Sequence, residues 1–326
     1  MPSASVVIHE SQFPENVRRD LLASLRSRTV NHKFHYDSIK QTHKWLALHQ
    51  QHSPARYDKN CRAIYDESFR AVAGETGSKN VHLIGLGCGG GQKDTRLLKL
   101  LKAAGKNVFY TPSDVSAAMV LTARETALAI LPEKYCFPAV CDLATANDFS
   151  EFFSPRPVPN ASRLFTFFSM IPNFEPQEIL PKLTALVRPK DALLFSANLA
   201  PGNDYAAGVK RILPQYDNAL TRDWLMTFLT DLGIEPSDGQ ARFEIETTRL
   251  GLKRVVANFH FRRARKITVE GETFHYKRSQ TIRLFFSYRY TPQLITKILA
   301  RYKLKVAHQW IAKSEEEAVF LCHKSS

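Results

Sequence analysis

The sequence predicts an open, doubly wound α/β sheet that ends in an antiparallel pair, joined to a smaller α+β region. Three observations predict it. Val81–Ile84 is a short apolar run that breaks into Gly85, Gly87, Gly89, Gly90 and Gly91 before an amphipathic stretch near Asp94. Further strand-like runs at 107–110, 139–143, 163–168 and 192–196 continue the βα rhythm. At the far end, Val306–Ile311 and Ala318–Cys322 flank the turn at Glu315–Glu317, close enough for a hairpin.

Taken in order, residues 13–30 read as a helix with Leu21, Leu22 and Leu25 on one side. Lys33–Asp58 is dense in aromatics and histidines, and Pro54 stops the helix that carries Trp45, Leu46 and Leu48. A helix over Asn60–Ala73 leads into the strand at Val81. The glycine loop behind that strand turns tightly and leaves bare backbone for a ligand. The helix after it carries Leu97, Leu98, Leu100 and Leu101 on its apolar face and ends at Gly105. Gly85, Gly87 and Gly90 satisfy the dinucleotide spacing G-x-G-x-x-G, while Gly87, Gly89 and Gly91 satisfy a looser spacing common in S-adenosylmethionine (SAM) enzymes. Asp114, at the end of the second strand, is suited to two ribose hydroxyls, or to capping the helix near Ser116. Asp142, at the tip of the third, is placed for an adenine amine or for a plain turn.

The βα rhythm stops after residue 196. Residues 198–207 read as a loop, and the helix opened by Gln215–Arg222 closes at Gly233. Two long alternating strands, Arg254–Val269 and Thr281–Tyr290, join through Gly271. The terminal hairpin fits SAM-dependent methyltransferases of the Rossmann-like class I sheet and fits dinucleotide dehydrogenases poorly. The expected division is a SAM-binding domain over 58–197 and 290–326 and a substrate-binding domain over 1–57 and 198–289.

Composition narrows the classes. The 326 residues are 44% hydrophobic and 23% charged, with no apolar run long enough for a bilayer span and no signal-like N-terminus, so a cytoplasmic chain is expected. Five scattered cysteines without a C-x-x-C pair support neither a disulfide framework nor a zinc site. The net charge of +14 concentrates in Arg262, Arg263, Arg265, Lys266, Lys277, Arg278, Arg283 and Arg289. These alternate with apolar residues, as on the solvated face of half-buried strands, or along a phosphate track.

With the glycine loop, Asp114, Asp142, Ile171-Pro172-Asn173 and Tyr216-Asp217-Asn218 in place, the chain resembles the histidine-specific SAM-dependent methyltransferase family. That family is typified by the histidine Nα-methyltransferase of ergothioneine biosynthesis. The L-G-x-G loop with Lys93 and Thr95-Arg96, the D-V-S of Asp114–Ser116 and the Y-D after Gln215 carry the resemblance, which runs from about Lys33 to Cys322. It implies that Gly87, Gly89, Lys93, Asp114 and Asp142 hold SAM and that no metal is used. It also implies that Tyr36 is the catalytic residue near the amine, and that Asn173 and Tyr216 hold the amino and carboxylate groups of an amino acid.

Two positions depart from the family pattern. His52 stands where a second tyrosine is expected. In the segment that grips the imidazole through a glutamate and a serine, Ser287 is kept but Phe285 replaces the glutamate, and Ala257 falls in the same pocket. A phenyl ring cannot accept the imidazole N–H, a loss of about 1–3 kcal/mol of discrimination. The expected substrate is therefore histidine or another amino acid or small amine, bound by a monomer, with nucleic acid and membrane not expected as partners. A nucleic-acid methyltransferase and a catalytically silent SAM-binding protein are the alternatives.

Overall fold

The computed structural model describes residues 3–153, 158 and 160–325. Its strands are β1 (Val7–Ile8), β2 (Asn80–Leu86), β3 (Asn107–Asp114), β4 (Ala139–Val140), β5 (Ala161–Phe167), β6 (Ala192–Asn198), β7 (Gly239–Thr247), β8 (Lys253–Phe261), β9 (Arg265–Val269), β10 (Glu272–Tyr276), β11 (Thr281–Arg289), β12 (Leu304–Ile311) and β13 (Glu317–Lys324). The chain forms two compact units: Met1–Phe13, Pro54–Leu199 and Thr291–Ser326 make the first, Pro14–Ser53 and Ala200–Tyr290 the second.

The first unit is built on one sheet in the order β1-β4-β3-β2-β5-β6-β13-β12. β1 to β6 pair in parallel, whereas β13 runs antiparallel to both β6 and β12. After its first residue β2 is wholly buried, as a strand covered on both faces must be. The helices Lys59–Glu75 and Gln92–Ala103 pack Tyr65, Phe69, Leu97, Leu98 and Leu101 against Val81, Leu83, Val319 and Leu321 in one core cluster. The anticipated hairpin is present. Its second strand, β13, is the apolar one and takes the buried place beside β6, leaving the polar β12 at the sheet edge.

One sequence expectation changes here. Residues before Pro14 were assigned to the substrate-binding domain, but β1 pairs with β4 and belongs to the glycine-loop sheet. Two residues of strand are too short for periodicity to reveal.

The second unit holds the antiparallel sheet β11-β8-β7 and the hairpin β9-β10. The helices Pro14–Ser27 and Ala219–Asp231 contribute Leu25, Trp224, Leu225, Phe228 and Leu229 to its core, with Phe259, Phe261, Ile282 and Phe285 from the strands. The single long strand expected over Arg254–Val269 is two strands, β8 and β9, broken after Phe261. Glu270 (φ 52°) and Gly271 (φ 80°) then make the two-residue turn between β9 and β10. The edge of β11 is covered by the chain before it: Val30 N–H donates to Arg283 O at 2.9 Å, and a His35 ring nitrogen lies 2.7 Å from Leu284 O.

Candidate active site

In the first unit the site grows from the turn after β2. Gly87 (φ 68°) and Gly91 (φ 75°) occupy the left-handed region, and each is also pressed from outside. A Cβ on Gly87 would stand 2.7 Å from the Met170 side chain, and one on Gly91 would stand 2.8 Å from the Ala123 backbone. The loop is thereby a cradle of bare peptide. Asp114 ties it to β3: its Oδ2 accepts the Gly89 N–H at 3.0 Å and its Oδ1 accepts the Ser116 N–H at 3.1 Å. Each oxygen keeps a lone pair, so the carboxylate fits both the loop-holding and the ribose reading. Burial raises its pKa, against the pull of those N–H groups.

Asp142 is engaged at its turn. Its Oδ1 accepts from Ala144 N–H and its Oδ2 from the Thr145 hydroxyl, both at 2.9 Å. Asn173 ends the single turn Ile171–Asn173 behind β5 and is half-buried.

Lys93 lies in the first turn of the helix Gln92–Ala103, beside the point between β2 and β5 where the connections diverge. Its ammonium donates to the Tyr65 hydroxyl at 2.7 Å and to Ser169 Oγ at 3.4 Å, and lies 3.9 Å from Glu317 Oε1. Tyr65 donates in turn to Glu317, and the Cys61 thiol donates to Glu317 Oε2 at 3.2 Å. Burial lowers the Lys93 pKa while Glu317 opposes that shift, and burial and Glu317 together raise Tyr65.

Asp94, which the sequence marks only as the start of a helix, lies under the glycine loop. Its carboxylate is buried beneath the loop, where it accepts from the Tyr110 and Thr166 hydroxyls, each at 2.7 Å. A Cβ on Gly85 would lie 2.2 Å from its Oδ2. Burial pushes its pKa up to about 6, although both hydroxyls favour the ionised form. Nothing in the spacing of Asp94 distinguishes this role from a first-turn acidic residue.

In the second unit Tyr216, Phe285 and Ser287 come together. The Tyr216 hydroxyl donates to Ser287 Oγ at 3.0 Å and accepts from Arg289 Nε at 3.0 Å. Ser287 and Arg289 follow Phe285 at alternate positions of β11, so they share its face. The Phe285 ring lies 6.3 Å from that of Tyr216, 5.9 Å from Trp224 and 5.3 Å from His32. Ala257 is its direct partner across the β8–β11 ladder. Tyr36 joins the same aromatic group through Trp224, 5.4 Å between ring centroids. His52 is exposed at the end of the helix Ile39–His52. Trp224 is not singled out in the sequence, and Arg289, read there as part of the basic face, is a partner of Tyr216.

His32 and His35 are shut from water, and burial drives their pKa values down to about 3 and 4, so both rings are neutral. Some of the basic residues of the late strands form ion pairs. Arg263 and Arg265 both reach the buried Asp238, and Arg254 and Arg283 both reach Glu246.

The first unit's strand order, with an antiparallel strand inserted before the edge, and its glycine cradle with Asp114 define a class I SAM-dependent methyltransferase fold. A polar cradle without side chains, a carboxylate at the end of β3 and a half-buried ammonium at the switch point fit the ribose and the amino-acid end of SAM. The model of the histidine-specific, SAM-dependent methyltransferases matches residues 17–324, and the chain belongs to that family. A curated relative, the N-methyltransferase imqF of Aspergillus flavus, is 25% identical over 240 residues, covering 72% of this chain and 65% of that protein. Among solved structures, magnesium protoporphyrin IX methyltransferase of Synechocystis PCC 6803 aligns over 90% of this chain and 98% of its own, at 13% identity and TM-score 0.49. The 1,6-didemethyltoxoflavin-N1-methyltransferase of Burkholderia thailandensis aligns over 88% and 89%, at 9% identity and TM-score 0.43. Among the described residues no helix is long and apolar enough to cross a membrane.

Proposed function

We propose that this chain transfers a methyl group from SAM to the amino nitrogen of a small amine, an amino acid with an apolar or aromatic side chain. Phe285 carries this assignment. A buried phenyl ring set among Trp224, Tyr216 and His32 offers apolar surface where a carboxylate would grip an imidazole. The designation of the Aspergillus relative as an N-methyltransferase supports nitrogen as the acceptor.

SAM, when bound, supplies an electrophilic methyl on a positively charged sulfur, so the protein's task is to place the nucleophile and keep its lone pair free. Asp114 takes the ribose hydroxyls and Lys93 the carboxylate of the cofactor, with Gly87 and Gly89 admitting it to the backbone and Asp142 facing the adenine. Asn173 and Tyr216 orient the substrate's amino and carboxylate ends. Arg289, bonded to Tyr216, adds a cation on the carboxylate side. The Tyr36 hydroxyl oxygen accepts a hydrogen bond from the amine and helps pass its proton to water. The internal ion pairs of Arg254, Arg263, Arg265 and Arg283 weigh against a phosphate track for nucleic acid.

The test is release of S-adenosylhomocysteine by the purified chain with a panel of free amino acids, their amines and bulk tRNA, followed by product mass. Turnover on aromatic or aliphatic amino acids with a gain of one to three methyl groups is the expected result. Preference for histidine would overturn the Phe285 argument, and turnover on tRNA alone would overturn the small-molecule assignment.

A further inference from the structure

Ahead of the family match, which begins at residue 17, the stretch up to Phe13 belongs to the cofactor unit. Val7 N–H donates to Pro138 O at 3.0 Å and His9 N–H to Val140 O at 2.9 Å, so β1 extends the sheet beside β4. The chain then turns through Glu10–Gln12, and consecutive side chains there hold the two loops assigned above to the adenosine. Ser11 Oγ accepts the backbone N–H of Asp142 at 3.0 Å, and Gln12 Nε2 donates to the backbone carbonyl of Val115, next to Asp114, at 2.9 Å. The turn is itself braced. His9 places one ring nitrogen 2.9 Å from Ser11 Oγ and the other 2.8 Å from Asp148 Oδ1.

Gln12 Oε1 is buried and has no donor. Buried acceptors are almost always paired, and an unpaired one beside a ligand loop is what a ligand N–H would satisfy. A structural edge strand alone gives no reason for an orphaned amide oxygen at this place.

We infer that Glu10–Gln12 is the outer wall of the adenosine half of the cofactor site. Ser11 is a positioning residue that sets the Asp142 backbone. Gln12 sets Val115 and presents its Oε1 to the exocyclic amine of adenine. This rests on the assignment of the adenosine to the loops of Asp114 and Asp142, so Asp114→Ala is the control.

The experiment is calorimetric titration of the full chain and its variants with S-adenosylhomocysteine, 5′-methylthioadenosine and 5′-methylthioinosine, alongside the melting temperature without ligand. Ser11→Ala removes one hydroxyl, and Gln12→Met keeps the length of the side chain without its amide. Each should weaken S-adenosylhomocysteine and 5′-methylthioadenosine to the same degree, roughly three- to tenfold, with the ligand-free melting temperature lowered by no more than a few degrees, so that the chain is fully folded in the titration. Gln12→Met should also narrow the preference for the adenosine over the inosine form, which lacks the amine. If Asp114→Ala weakens both adenosine ligands and neither Ser11→Ala nor Gln12→Met does, the wall is disproved and the assignment of the loops stands. If Asp114→Ala changes neither ligand, that assignment fails and takes the inference with it.

Discussion

Replacing Asp94 with asparagine should make the cofactor unit more stable at neutral pH and remove a pH dependence that the parent chain carries. The carboxylate is buried under the glycine loop with two hydroxyl donors, and its pKa stands at about 6 against an ordinary 3.8. That difference corresponds to about 3 kcal/mol. The folded pKa is the higher one, so the folded chain binds the proton more tightly. The stabilisation from this group is therefore complete below the ordinary carboxylate range, is lost as pH rises through about 6, and changes no further above it. Asparagine is neutral throughout and keeps the shape, but its amide nitrogen cannot accept the hydroxyl that one carboxylate oxygen accepts, which costs about 1 kcal/mol. A net gain of roughly 2 kcal/mol at pH 7.5 remains, about 3 °C in a chain of this length. Melting curves of both proteins from pH 4.5 to 8 measure it: the Asp94→Asn curve should lie above the parent's at pH 7.5 and converge with it or cross it near pH 5. Parallel curves over the whole range would show that Asp94 is not the group whose burial costs this energy.

Three further outcomes follow from the same geometry. Gly91→Ala forces a side chain into the left-handed region and against the Ala123 backbone, and should lower stability by about 1–3 kcal/mol in a denaturant titration. Lys93→Met keeps the packing on Tyr65 and removes the ammonium, so calorimetry should record S-adenosylhomocysteine binding roughly tenfold weaker or worse, with 5′-methylthioadenosine unchanged because it carries no carboxylate. Tyr216→Phe removes the hydroxyl between Arg289 and Ser287. Steady-state kinetics should show KM for the amine rising roughly tenfold while KM for SAM stays constant.

The parts of the fold visible in the sequence are those written in local chemistry. A buried parallel strand must be apolar throughout, so β2 and its glycine turn could be located without coordinates, and the short turn between Val306–Ile311 and Ala318–Cys322 announced the hairpin of β12 and β13. β7 is not among the expected strands, although its ARFEIE alternates apolar and charged residues as a half-buried strand does. The break between β8 and β9 escaped because the apolar positions of the two strands keep the same parity, from Phe259 and Phe261 to Ile267 and Val269, and only Arg263 and Arg265 interrupt it. At the site, Tyr216, Phe285 and Ser287 could be paired by motif, and the second unit brings them together. Their partners Trp224 and Arg289, and the trio of Tyr110, Thr166 and Asp94, depend on contacts between distant segments that no periodicity encodes.

The position of β13 between β6 and β12 bears on how the chain must be made. Residues 199–316 separate β6 from its antiparallel neighbour, and the whole of the second unit's larger segment is synthesised in that interval. Until Glu317–Lys324 leaves the ribosome, β6 presents an open edge of Leu193, Leu194 and Phe195, the kind of edge that recruits other chains. Glu317, which orders Tyr65 and Cys61 around Lys93, arrives on that same late strand. A nascent chain stalled before it would hold the six parallel strands and the glycine loop, with β6 open and Lys93 lacking the carboxylate that faces it.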